Sequence, residues 1–182
     1  LSRENLHQVK QLSSFLVNLY KQNRKRSWHW FEDIIAYSNG ILPQSLLCVY
    51  ARTGDKSALK TAHDTLNFLC DILFRNGYLN IIGNQGWMVR GKKPACYDQQ
   101  PVDAASIAFA CLEAYQSIGG QHYLDLAHRA HRWFHGENIH GLSLYDETTG
   151  GCFDALTPAG VNLNQGAESL LAYLLCEQHA AK

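Results

Sequence analysis

The sequence predicts an all-α protein built from repeated helical hairpins. Three observations point there. Segments of the chain match one another at a constant offset of 65 residues, apolar residues recur at helical spacing in six stretches, and short glycine turns alternate with long polar loops. Moving residues 54–63 by that offset lands on 119–128, with Gly54, Leu59, Ala62 and His63 matched by Gly119, Leu124, Ala127 and His128. Tyr50 maps onto Tyr115, Asp33 onto Asp98, Gln100 onto Gln165, and Asp103 onto Glu168. A unit of this length holds two helices and cannot bury both of its faces alone, so neighbouring units must close the structure in a toroid or a stack.

The elements follow in order. Leu6, Val9, Leu12, Leu16 and Leu19 predict an amphipathic helix over 4–23, ending in the basic triplet Arg24-Lys25-Arg26. The aromatic and acidic segment from Trp28 to Asp33 lacks clean periodicity. Asn39-Gly40 punctuates it, and Pro43 opens a second helix reaching about Thr53. After the Gly54-Asp55 turn, Leu59, Ala62, Leu66, Leu69 and Leu73 give a third helix, which ends near Asn76-Gly77. Residues 78–82 read as a short strand and 83–87 as a turn-rich loop. A fourth helix starts at Pro101, and its Ala104, Ala105, Ala108 and Ala110 permit close approach of neighbours, as an inner helix requires. The fifth, over 121–135, sets Leu124, Ala127, Trp133 and Phe134 opposite Asp125, Arg129 and Arg132, as an outer helix should. A glycine-rich loop over 136–164 leads to a last helix at about 165–179. Outer and inner helices thus alternate, and the long loops share one end, which is where function tends to be placed.

Composition narrows the function. A chain of 182 residues with 46% hydrophobic content buries a core of its own. Its 16 basic and 16 acidic residues balance, so no bulk field attracts nucleic acid or an anionic membrane. No apolar run approaches the ~20 residues that span a bilayer, and a soluble, cytoplasmic protein is expected. Six cysteines without a CxxC pair fit buried, reduced thiols better than a disulfide framework or a zinc site. The chain opens on Leu1 and its single methionine is Met88, so a piece of a longer protein is expected.

Candidate site residues collect at the long-loop end. Glu32, Asp33, Asp98, Asp103 and Glu168 are the candidate catalytic carboxylates. Trp28, Trp30, Tyr37, Asn39, Asn84, Trp87, Arg90, Gln99, Gln100, Tyr145, Asp154, Asn162, Asn164 and Gln165 are candidate ligand contacts. Sugars offer C–H faces that stack on aromatic rings and hydroxyls that pair with amides and carboxylates, and glycosidic chemistry adds two carboxyl groups flanking the bond. Asp103 and Glu168 also sit in first helical turns, where a carboxylate satisfies free N–H groups and the helix dipole, and that alone explains their position. His128, His131 and His135 share one face of the fifth helix, but no carboxylate or cysteine completes the set nearby, so a solvated face and no metal are expected. No phosphate loop, nucleophile motif or cofactor signature is present.

Five strings occur together in order: Trp30-Phe31-Glu32-Asp33 with Tyr37, Asn39 and Leu42-Pro43; Ile82-Gly83-Asn84-Gln85-Gly86-Trp87; Asp98-Gln99-Gln100-Pro101 with Asp103-Ala104-Ala105; Leu144-Tyr145-Asp146 with Thr149-Gly150-Gly151-Cys152 and Asp154-Ala155-Leu156; and Val161-Asn162-Leu163-Asn164-Gln165-Gly166-Ala167-Glu168-Ser169. Over 28–175 the chain resembles the helical domain at the C-terminal side of some bacterial glycosyltransferase-family proteins, itself similar to the six-hairpin (α/α) toroids of glycosidases. The resemblance implies a partial six-hairpin barrel of about three hairpins, since a full toroid needs on the order of 390 residues. Either an upstream segment or a second copy, in a homodimer, would complete it, or the three hairpins stand alone as a shallow arc, which the apolar inner helices disfavour. No catalytic assignment comes with the resemblance. The expected function is a carbohydrate-active domain, glycoside hydrolase-like or glycosyltransferase-associated. The alternative is a non-catalytic glycan-binding or scaffolding domain of a glycosyltransferase. Sugar epimerisation ranks last, since it wants two histidines in the cleft and only His29 and His140 fall near the long loops.

Overall fold

The computed structural model describes residues 3–180, which form six helices and three small antiparallel strand pairs. The helices are α1 (Arg3–Asn23), α2 (Ile41–Thr53), α3 (Lys56–Leu73), α4 (Pro101–Ile118), α5 (Gln121–Arg132) and α6 (Ala167–Ala180). Their order and approximate bounds are those the periodicity predicts. α2 begins two residues before Pro43, which takes a position in the first turn, where its missing N–H costs no helical hydrogen bond. Asp55 caps α3, its carboxylate accepting from the amides of Ser57 at 2.8 Å and Ala58 at 3.3 Å. Gly54 precedes it with φ 71°, the left-handed conformation that closes α2.

α4 lies in the middle of the packing, against α2 on one side and α6 on the other, and α5 covers it as the second arm of its hairpin. α1 and α3 pack on α2 and on each other. The small residues of α4 make this possible: Ala104, Ala108, Ala110 and Ala114 are fully buried. At Gly40, which begins α2, a Cβ would overlap the Ser106 carbonyl, so the two helix starts meet backbone to backbone.

The expected strand over 78–82 is absent. Leu79, Ile81 and Ile82 are buried there, but the backbone extends without a ladder partner, so burial rather than pairing accounts for its apolar pattern. The ladders lie elsewhere in the loops. β1 (Ile34–Ile35) pairs with β2 (Met88–Val89), joining the first long loop to the second. β3 (Tyr145–Asp146) pairs with β4 (Gly151–Cys152), and β5 (Ala155–Thr157) with β6 (Gly160–Asn162), inside the third. The bridge between Gln99 and Leu156 ties the second loop to the third. All three loops therefore join at the N-terminal ends of α2, α4 and α6.

The aromatic residues of the loops build much of the core. Trp30, Phe31, Trp133 and Phe134 are among the largest fully enclosed side chains, in two edge-to-face pairs. Trp133 and Phe134 were expected in the core. Cys70, Cys111, Cys152 and Cys176 are buried free thiols, as expected of most of the six, whereas Cys48 and Cys96 are exposed. Among the described residues no helix is long and apolar enough to cross a membrane.

Candidate functional site

The second and third loops meet over the starts of α4 and α6 and leave a cleft of about 330 Å³. It is lined by Asp98, Gln100, Pro101, Val102, Asp154, Ala155, Asn162, Gly166, Ala167, Glu168 and Ser169. Its wall on the α4 side is positioned by two ladders. The Gln99 amide donates to the Leu156 carbonyl at 3.0 Å and the Leu156 amide returns a bond at 2.9 Å. Asn84 and Gln85 hold the segment before α4: the Asn84 amide donates to the Asp98 carbonyl at 2.9 Å, and the Gln85 amide to the Tyr97 carbonyl at 2.9 Å. Gly83 lies against the Tyr97 backbone, where any Cβ would collide, so the Gly83-Asn84 spacing reflects close backbone approach. Asp98 points one oxygen at the Gln85 amide group, 3.3 Å away.

The α6 wall is held by Asp154. Its carboxylate accepts from the Gly166 amide at 2.7 Å, the Ser169 hydroxyl at 2.7 Å, and the Asn164 side chain. Burial works against its charge, yet these donors hold its carboxyl below the usual range. Asp154 and Asn164 thus fasten the third loop to the first turn of α6. Gln165 does related work, donating to Asp146 at 2.9 Å and accepting from Thr149 at 2.9 Å.

The repeat register explains how the helix starts meet. Positions 38, 103 and 168 are equivalent in the three units. Asp103 Oδ1 accepts the Ser38 amide at 2.7 Å, and the Tyr37 hydroxyl donates to Glu168 Oε1 at 2.8 Å. Asp103 is only 6% exposed, and burial pushes its carboxyl up to about 7 against the lowering effect of the Ser38 and Asn39 amides, with the Glu168 charge adding to the rise. Tyr37 is pushed up to about 12, by burial and then by Glu168.

Of the five candidate carboxylates, the cleft gathers Asp98 and Glu168, with Asp103 buried beside Glu168. Glu32 and Asp33 are not part of its lining. Asp33 is 64% exposed and pairs with Arg90 at 2.8 Å, while Arg90 also reaches the Asn23 carbonyl at 3.2 Å. That pair clips the first loop to the second. The ligand-stacking role expected of Trp28 and Trp30 is corrected by burial: both rings lie in the core, Trp28 donating to the Glu32 carbonyl at 2.7 Å. Gln99 is corrected likewise, since it is wholly buried between Asn80, the Cys96 carbonyl and Trp133. Asn39 is buried and donates to the Ala36 carbonyl at 3.2 Å. Tyr145 stacks on Tyr173 at 5.0 Å. No aromatic ring is among the cleft-lining residues; Tyr37 approaches through its hydroxyl, and Trp87 is exposed outside the lining. His29 packs on Phe68 and His140 on Tyr97, so neither lines the cleft.

The histidine face of α5 also differs from its expected solvated state. Glu177 of α6 comes between His131 and His135, its Oε2 lying 3.2 Å from His131 Nε2 and its Oε1 3.1 Å from His135 Nε2. Burial lowers the His131 imidazole, and Glu177 partly counters it. The carboxylate was invisible to local sequence reading because it lies 42 residues beyond His135 on another helix. Tyr173, four residues earlier on α6, donates its hydroxyl to Glu177 at 2.9 Å.

Compared with models of known protein families and with curated proteins, the chain matches none, so the reading of these sites rests on their own geometry.

Proposed function

We propose that this chain is a carbohydrate-active domain, built as part of an (α/α) toroid, that binds a glycan in the cleft over α4 and α6. The observation that carries the reading is the cleft's lining: Asp98, Gln100, Asn162 and Glu168 converge from two loops and two helix starts onto one depression. Carboxylates and amides in that density match a polyhydroxylated ligand, whose hydroxyls both donate and accept. The lining lacks rings, so recognition depends on hydrogen bonds, with Tyr37 held at Glu168 as the nearest aromatic group. Asp154 belongs to the scaffold, its oxygens being taken by α6 and Asn164.

The test is calorimetric titration of the purified chain with a panel of glycans and nucleotide sugars, with product analysis for each hit. Asp98→Asn and Asn162→Ala are expected to weaken binding by about tenfold, roughly 1.4 kcal/mol, with little change in Tm. Equal affinity in both variants, or no binding across the panel, would sink the proposal.

A hydrolytic or transfer reading is favoured by one further observation, that Asp98 and Glu168 line the same cleft. Glycosidic cleavage uses two carboxyl groups flanking the bond. On that reading Asp98→Asn and Glu168→Gln abolish turnover while binding persists. Turnover at the parent rate in both would show that these two carboxylates are not the catalytic pair, and binding without turnover in the parent chain would leave binding alone as the function.

A further inference from the structure

We propose that His131, His135 and Glu177 form a binding site for a divalent transition metal, zinc by ligand type, separate from the loop cleft. The three residues offer ligand atoms that all lie within 4.8 Å of one another. The imidazole nitrogens approach the two carboxylate oxygens at 3.2 Å and 3.1 Å. Tetrahedral zinc with nitrogen and oxygen ligands near 2.0–2.1 Å separates neighbouring ligand atoms by about 3.3 Å, so the two histidine–carboxylate spacings already suit the ion and the widest spacing, 4.8 Å, closes by about 1.5 Å through side-chain rotation when it binds.

Three features distinguish the cluster from a chance ion pair. His131 and His135 stand four residues apart on the α5 face and its continuation, the spacing that brings two imidazoles to one side, and their rings are 4.8 Å apart. His131 Nε2 is buried and makes no hydrogen bond, since Glu177 Oε2, 3.2 Å away, is near but out of line, and the nitrogen's directional bonding capacity is left unused. Glu177 is itself oriented by the Tyr173 hydroxyl, as an outer partner orients a ligating carboxylate. His135 and Glu177 are each about one-third exposed at the side chain, which leaves room for water at the fourth position. Binding joins α5 to α6 through the ion and displaces a proton from either imidazole that is charged.

The test uses the full chain with Cys48→Ser and Cys96→Ser, which removes the exposed thiols as competing ligands. Titration with zinc should show about one equivalent bound at micromolar or tighter affinity and a rise in Tm. Cobalt substituted for zinc should give the visible bands of a nitrogen and oxygen site without a thiolate-to-metal band. His135→Ala and Glu177→Gln, at partly exposed positions, should each weaken binding by about 100-fold or more, since outer partners alone are worth about 10–100-fold. No binding at micromolar zinc, binding unchanged in both variants, or a thiolate band in the cobalt spectrum would overturn the site.

Discussion

Asp103 sits where water scarcely reaches, at the junction of α4 with the end of the first loop, and it accepts the Ser38 amide there. A carboxyl in that setting is cheaper to keep protonated than charged. Its folded value of about 7 lies above the ordinary carboxylate value of 3.8. The folded state therefore holds a proton that the unfolded chain releases, and stability falls as pH rises from about 4 through 7. The span corresponds to a loss on the order of 4 kcal/mol. Asp103→Asn keeps an oxygen acceptor for Ser38 and carries no charge. Thermal unfolding between pH 4 and 8 should then show a flatter profile for the variant, with its advantage over the parent growing toward pH 8; parallel profiles would show that Asp103 does not titrate in this range.

At the scale of elements, the decisive contact is the meeting of α2 and α4 at their N-terminal ends. Gly40 lies so close to Ser106 that its amide donates to the Ser106 hydroxyl at 3.3 Å and any side chain would strike the backbone. Backbone cannot swing aside as a flexible side chain can, so the helices would have to separate. Gly40→Ala is expected to cost about 3 kcal/mol, the upper end of ordinary overpacking, and possession of a native-like circular dichroism spectrum with a lowered denaturation midpoint would show it. A change below about 0.5 kcal/mol would mean that the two helices are not in backbone contact. Because Ser38, Asp103 and Glu168 occupy equivalent positions, moving α2 from α4 would also disturb the order around Glu168 and the cleft wall.

Over the whole molecule, apolar side chains stay exposed on both terminal helices of the packing. Leu12 and Phe15 stand out from α1, and Leu171 and Leu174 from α6 at 58% and 52% exposure. Such residues gain little from the fold of one copy. In dilute solution the double variant Leu171→Ser and Leu174→Ser should lie within about 0.5 kcal/mol of the parent by denaturant unfolding, the range of surface changes. A larger, concentration-dependent loss would show that another copy covers α6. Such a result would bear directly on whether a second chain completes the proposed toroid.

The sequence by itself determined the six helices, their hairpin pairing and the end of the molecule at which the long loops gather, because helical periodicity, caps and repeat register are local properties. It also placed Asp98, Gln100, Asp154, Asn162 and Glu168 at one end, where the structure brings them into the lining of a single cleft. The helical stripe marked Trp133 and Phe134 as core, but only the tertiary structure decided the same for Trp28 and Trp30, which have the composition of a sugar platform and are buried where the loops fold against the helices. It alone turned Asp33 outward to Arg90 and enclosed Gln99 under Trp133. It alone brought Glu177 between two histidines on another helix. Contacts between residues far apart in sequence depend on how whole elements pack, and a helical pattern states which face is apolar without stating which partner that face will meet.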